Sequence, residues 1–66
     1  MKLRPLIRER RMEKHLTQKQ FAELLGTRQG VVSRWENGHD YPSLPYLIKI
    51  EKILDCTLQD LFEAEE

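Results

Sequence analysis

The segment 26–38, GTRQGVVSRWENG, concentrates side chains that form directional hydrogen bonds between two glycines. On a helical wheel at 100° per residue, Val32 and Trp35 point to one side, with Val31 and Glu36 beside them. The opposite half, with Gln29 at its edge, carries small or hydrogen-bonding residues: Gly30, Ser33, Arg34 and Asn37. A helix with this pattern packs through its valine and tryptophan and leaves a hydrogen-bonding face outward.

The outward residue types match the hydrogen-bonding groups on base edges. Arginine pairs with guanine O6 and N7, glutamine with adenine N6 and N7, and serine with either base. A helix about 10–12 Å across also fits a major groove about 12 Å wide. The segment therefore favours contact with double-stranded DNA.

Helical periodicity dominates the whole chain, because apolar residues recur at 3.6-residue spacing between turn signals and alternating patterns are absent. We expect helix one from about Leu3 or Pro5 to Lys14. Thr17 and Gln20 form a capping box at the start of helix two. The pattern predicts an all-α, compact five-helix fold.

Helix two is expected to end at Gly26, and helix three to begin after Thr27 as its N-cap and to end at Asn37-Gly38. Only three residues, 25–27, separate the two helices, so a sharp turn must join them. Ser43 can cap helix four, and Thr57 can cap a short helix five. We expect one domain, residues 1–66.

Charge is distributed unevenly over the 66 residues, although its formal sum is zero. Residues 1–40 hold nine Lys/Arg and five Asp/Glu, whereas residues 41–66 hold two and six. The part of the chain with the excess of basic residues is therefore expected to meet an anionic partner. The single cysteine, Cys56, cannot form an internal disulfide and is expected to be a buried thiol. No apolar run is long enough for a membrane span, so a cytoplasmic protein is predicted.

Catalytic and metal-binding patterns are absent from the sequence. It contains no glycine-rich phosphate loop and no Ser/His/Asp arrangement, so we expect no enzyme activity. His15 and His39 are too far apart in the chain to suggest a metal site, and we expect no cofactor and no small-molecule ligand.

The run LTQKQFAELLGTRQGVVSRWENG…YPSL…LIKIEKILDCTLQDLF resembles the helix-turn-helix domain of Xre/Cro-type, phage lambda repressor-like transcriptional regulators. The resemblance extends from about Ile7 to Phe62. It implies a lambda-repressor-like fold in which helices two and three form a helix-turn-helix at about 17–37. Helix three is then the recognition helix.

The resemblance also implies a set of DNA contacts. Gln18 matches a position that contacts a phosphate or a base edge, Asn37 matches a backbone contact, and Val31 can face a thymine methyl. The other members lie at or beside base-facing positions. The full set is Gln18, Arg28, Gln29, Val31, Ser33, Arg34 and Asn37.

The same resemblance bears on three further residues. Arg11 is expected to form a structural ion pair with Glu36. Gly30 replaces a long polar side chain, either because the backbone approaches the groove closely or because readout is absent there. His15 replaces a glycine at the end of helix one, where left-handed backbone geometry is expected.

The C-terminal region 44–63 is expected to complete the core and to form a dimer interface. Leu58, Leu61 and Phe62 exceed what one short helix can bury in so small a core. A two-fold patch would place two recognition helices about 34 Å apart. We therefore expect a homodimeric repressor of a short inverted repeat. The alternative is a protein-interaction module of the same fold, an antitoxin or an antirepressor.

Overall fold

The computed structural model describes all residues 1–66, with five helices between two terminal strands. The strands are β1 (Lys2–Pro5) and β2 (Phe62–Glu65). The helices are α1 (Ile7–Glu13), α2 (Gln18–Leu25), α3 (Gln29–Glu36), α4 (Leu44–Leu54) and α5 (Leu58–Leu61).

The two strands form an antiparallel sheet that pairs Lys2 with Glu65 and Arg4 with Glu63. The strictly all-α prediction was therefore wrong, as was the start of helix one at Leu3 or Pro5. Cross-strand pairs of opposite charge favour this ladder, and Arg4 Nη2 lies 3.3 Å from Glu63 Oε2. Each strand has only four residues, and its partner lies at the other end of the chain, so local periodicity could not reveal it.

Helix two begins and ends as the sequence predicts. The Thr17 hydroxyl accepts from the Gln20 backbone N–H at 3.0 Å, and the Thr17 backbone N–H donates to Gln20 Oε1 at 2.9 Å. At the other end Gly26 has φ +74°, a left-handed conformation that glycine adopts without steric penalty.

The N-cap position of α3 is Arg28, so the assignment of Thr27 to that position was wrong. The Thr27 backbone N–H donates to Ala22 O at 2.9 Å and so belongs to the end of α2. The extended Arg28 backbone (φ −108°, ψ 151°) then opens α3, and no side chain caps it. The carbonyl of Arg28 accepts from the Val31 and Val32 backbone N–H groups.

Helices four and five begin after Ser43 and Thr57, as expected. The Thr57 backbone N–H donates to Asp60 Oδ2 at 3.0 Å, and this hydrogen bond lowers the pKa of Asp60. Helix five ends at Leu61, because Phe62 adopts an extended backbone (φ −141°) and starts β2.

The core lies where the helices converge and fixes the orientation of α3. Phe21, Val32 and Ile50 are fully buried, and the Trp35 ring packs against Tyr46 at 5.3 Å between centroids. The nine buried hydrophobic residues are Ile7, Phe21, Ala22, Leu25, Val32, Trp35, Ile50, Leu54 and Leu61. The inward orientation predicted for Val32 and Trp35 is confirmed.

Candidate nucleic-acid interface

The outer face of α3 is accessible along its length. Gln29, Gly30 and Arg34 are exposed, as is Asn37 just after the helix, while Ser33 is half-buried. A Cβ atom added to Gly30 would have no neighbour within 4 Å, so packing within the monomer does not require glycine there. The helix therefore presents a polar surface, and the space beside Gly30 is unoccupied.

A buried ion pair fixes the end of α3 against α1. Arg11 Nε lies 2.7 Å from Glu36 Oε2, and Arg11 Nη2 lies 3.1 Å from Glu36 Oε1. Arg11 Nη1 also donates to the Leu16 carbonyl at 2.7 Å. This is the pair that the family resemblance implies. Both charges are satisfied, which a buried pair needs in order not to be destabilising.

Glu36 is ionised in this setting. Burial alone would raise its pKa, but hydrogen bonds from Arg11 and Gln18, together with the Arg11 charge, outweigh burial and hold the pKa below its ordinary value. Arg8 contributes a further contact, Nε to Glu36 Oε1, at 3.4 Å. The carboxylate therefore accepts hydrogen bonds from three side chains.

Gln18 and Gln29, both expected to contact DNA, lie next to each other. Gln18 Nε2 donates to Glu36 Oε1 at 2.9 Å, and Gln29 Nε2 donates to Gln18 Oε1 at 3.4 Å. Gln29 is exposed, whereas Gln18 is half-buried. The start of α2 therefore supports a side chain on the outer face of α3.

Arg34 forms an ion pair that the sequence did not reveal. Its Nε and Nη2 atoms face Asp40 Oδ2 and Oδ1, at 2.5 and 3.4 Å. The hydrogen bond and the charge of Asp40 raise the pKa of Arg34, and the same contact lowers the pKa of Asp40. Asp40 lies in the loop after α3, where helical periodicity no longer indicates which residues share a face.

Asn37 is held by two neighbouring side chains. Its Nδ2 donates to the Ser33 carbonyl at 2.8 Å and lies 3.3 Å from Ser33 Oγ. Arg8 Nη2 donates to Asn37 Oδ1 at 3.3 Å. Nothing in the sequence indicated this contact, because it joins residues 29 positions apart on different elements.

The remaining members of the expected set have mixed environments. Arg28 is exposed at the turn between α2 and α3. Val31 is half-buried and packs against the core. His15 has φ +58°, the left-handed geometry expected where the resemblance places glycine.

The C-terminal interface set needs one correction. Leu61 is fully buried inside the monomer, because α5 directs it into the core, so it cannot contribute to a surface. Leu58 is 44% exposed and Phe62 half-buried. Both border a surface groove that we term the apolar groove, whose hydrophobic lining is Leu3, Tyr41, Leu47, Leu58, Phe62 and Ala64.

Other kinds of site find little support. No three His, Cys, Asp or Glu side chains are grouped as metal ligands would be. None of the helices has the length and hydropathy needed to span a membrane. Cys56 is half-buried, and burial, with the charge of Asp60, raises the pKa of its thiol. This thiol is therefore a poor nucleophile at neutral pH.

Comparison with known proteins agrees with the geometry of α2 and α3. A protein of the ImmF control region of Bacillus phage phi105 is 38% identical over 64 residues, which cover 97% of this chain and 71% of that protein. A candidate DNA-binding protein from Bacteroides fragilis superimposes with a TM-score of 0.83 at 28% identity, over 92% of this chain and 98% of the other.

The P22 c2 repressor, solved in complex with synthetic operator 9T in the presence of Tl⁺, superimposes with a TM-score of 0.76 at 26% identity, over 80% of each chain. A family model described as helix-turn-helix matches residues 7–61. The chain therefore belongs to the helix-turn-helix family, as a regulator of the Xre/Cro type.

Proposed function

We propose that this protein is a homodimeric repressor that binds a short inverted-repeat operator through the major groove. The observation that carries the proposal is the orientation of α3, which buries Val32 and Trp35 and exposes Gln29 and Arg34. The similar P22 c2 repressor was solved with an operator, which supports DNA as the ligand. Helix three would read base edges, and Asn37 would contact the backbone.

The charge distribution supports this orientation on DNA. Residues 1–40, which include α1 to α3, hold nine of the eleven basic residues but only five of the eleven acidic ones. The net positive part of the chain, which includes α3, would meet the phosphates, while the acidic strand β2 lies beside β1 and pairs with Lys2 and Arg4. An excess of positive charge on one face favours polyanion binding even when the total charge is zero.

The apolar groove supports dimerisation through a second copy of the chain. Leu58 lies on its rim, and the rings of Tyr41 and Phe62 pack at 5.9 Å between centroids. Two-fold pairing would cover the exposed leucine in both copies and give two recognition helices with a fixed separation. Such an arrangement matches an operator with two half-sites.

One observation favours the alternative function, a module that binds another protein. The Arg34–Asp40 ion pair neutralises a cation on the outer face of α3, which weakens attraction to phosphates. An antitoxin or antirepressor could use the apolar groove to bind its target. An antitoxin can also bind DNA, so the two classes overlap, but a module that only caps another protein would not bind DNA appreciably.

Selection of bound fragments from random DNA by the purified protein tests the proposal directly. We expect enrichment of one palindromic site. A dimer that neutralises about six to ten phosphates should lose roughly 10³–10⁵ in affinity for that site between 50 and 200 mM salt. Absence of any enriched sequence would exclude the repressor function, and an enriched site without two-fold symmetry would exclude the dimeric mode.

A further inference from the structure

The two outer edges of the terminal sheet differ in what they offer to a further strand. Antiparallel strands alternate hydrogen-bonded and non-hydrogen-bonded pairs. Pro5 and Phe62 form a non-hydrogen-bonded pair, because proline has no backbone N–H to donate. Two residues along, Leu3 and Ala64 are therefore a pair of the same kind. The backbone N–H and C=O groups of both residues face away from the partner strand, one set on each edge of the sheet.

The outer edge of β1 is obstructed. The Leu3 carbonyl accepts from the Tyr41 hydroxyl at 3.3 Å, and Pro5 offers no donor. A strand added on this side would lack one donor and would compete with Tyr41 for an acceptor.

The outer edge of β2 is open. Ala64 is exposed, and neither its N–H nor its C=O group takes part in a backbone hydrogen bond with a turn or a loop. Unpaired groups on an edge strand are a template for an extended segment of another chain. The sheet can therefore grow on the β2 side.

The two faces of β2 differ in chemistry. Phe62 and Ala64 line the apolar groove on one face. On the other face Glu63 contacts Arg4 at 3.3 Å, whereas Glu65 is exposed and forms no ion pair. Because side chains alternate between the faces of a sheet, a matching strand has apolar residues toward the groove and basic residues toward the glutamates.

A second copy of β2 does not fit this edge. Every antiparallel register that pairs Ala64 with an outward-facing residue of the other copy places Glu63 or Glu65 directly opposite a glutamate. Like charges directly opposite each other destabilise a sheet. The occupant of the edge is therefore a segment of a different protein.

We propose that the outer edge of β2 binds an extended segment of another protein in which basic and apolar residues alternate. The segment adds a third strand through the backbone of Ala64, with its apolar side chains beside Phe62 and its basic side chains opposite Glu65. Strand β1, in which Leu3 lies between two basic residues, already pairs with β2 in this pattern. The inference goes beyond the proposed function and does not depend on DNA binding.

The test uses the full chain and three synthetic peptides of about eight residues, a common strand length. One peptide alternates leucine and lysine, and a second alternates leucine and glutamate. The third has the composition of the first, with its leucines and lysines in two separate blocks. We expect the alternating leucine–lysine peptide to bind at least about tenfold more tightly than the other two in titration calorimetry.

Ala64→Pro removes the outward-facing N–H, at an edge position where proline is tolerated. Ala64→Ser keeps that N–H and is the matched control. We expect the Kd of the leucine–lysine peptide to rise by about tenfold in Ala64→Pro and to change by less than about twofold in Ala64→Ser.

Glu65→Lys tests the charge of the partner. This variant should prefer the leucine–glutamate peptide over the leucine–lysine peptide, which reverses the preference of the wild type. Glu23→Lys makes the same change of charge at an exposed position on α2 and should leave the preference as it is.

Three results would overturn the proposal. The first is no binding of the alternating leucine–lysine peptide. The second is equal binding of the block peptide, or binding that persists in Ala64→Pro, because either shows only a general attraction to the acidic segment. The third is an unchanged preference in Glu65→Lys. Selection of DNA fragments by the same protein tests the repressor function independently of all three.

Discussion

Asp40 faces the guanidinium of Arg34 side-on, with its two carboxylate oxygens opposite Nε and Nη2. Both side chains are at least half exposed, so the pair lies on the surface of the molecule. The Asp40 carboxylate therefore already occupies one edge of the Arg34 guanidinium, and we propose that Arg34 contacts DNA.

We predict that Asp40→Asn strengthens DNA binding several-fold, because the substitution frees Arg34 for a base edge and removes a negative charge that repels the phosphates. The plot of log affinity against log salt should become steeper by about one unit. Fluorescence anisotropy with the selected duplex measures both effects. The control is Glu66→Gln, which removes a charge from the acidic segment 41–66. Equal gains in both variants would exclude a specific role for Asp40.

The acid sensitivity of the fold should depend on Glu36. Its pKa is lower in the folded protein than in the unfolded chain, so its stabilising contribution is present above the ordinary carboxyl pKa of about 4.3 and is lost as pH falls through the folded value. Asp40 and Asp60 have lowered pKa values too and act in the same direction. Urea titrations between pH 3 and 7 should show a shallower acid decline for Glu36→Gln, and an identical decline would contradict this assignment.

Removal of Arg11 should leave a buried carboxylate without its main partner. We expect Arg11→Met to lower the free energy of unfolding by about 3–5 kcal/mol, a large fraction of the stability of so small a domain. Lys14→Met, at an exposed position just after α1, should change it by less than about 0.5 kcal/mol. Similar thermal melts for the two variants would show that the ion pair contributes little.

The proposed dimer interface is tested by Leu58→Glu. Leu58 borders the apolar groove and is 44% exposed, so its replacement disturbs the groove with little effect on the core. Sedimentation should shift from twice the chain mass of 7.9 kDa to the chain mass itself. Met12→Glu, at an exposed position on α1, should stay dimeric. A Leu58→Glu protein that remains a dimer would move the interface elsewhere.

The left-handed end of α1 predicts a stabilising substitution. His15 has φ +58°, which is unfavourable for any residue with a Cβ, so His15→Gly should raise the free energy of unfolding by about 0.5–1 kcal/mol. Lys14→Gly, one residue earlier at φ −91°, should lower it instead. Chemical denaturation of both variants measures the difference, and destabilisation by His15→Gly would contradict the argument.

Local signals made most of the helices predictable. Thr17 and Gln20 cap the start of α2 and Gly26 ends it, as the sequence predicts, because each of these interactions spans only about one helical turn. The spacing of Val32 and Trp35 likewise defined the buried side of α3. These features depend on residues close together in the chain, which a sequence displays directly.

Features that depend on distant residues were not predictable in the same way. The terminal sheet pairs residues such as Lys2 and Glu65. Arg8 reaches Asn37 from another helix, and Leu61 is buried because the body of the protein surrounds α5. Each contact needs the folded arrangement, and no periodicity or capping motif indicates it.

The pairing of Lys2 with Glu65 has a consequence for synthesis on the ribosome. At roughly 5–20 residues per second, the first strand emerges several seconds before its partner has been translated. During that interval the backbone of the first strand has no partner strand and stays open to solvent. The sheet therefore forms late in synthesis. A ribosome stalled shortly before Phe62 would leave the backbone hydrogen-bonding groups of β1 unpaired and exposed.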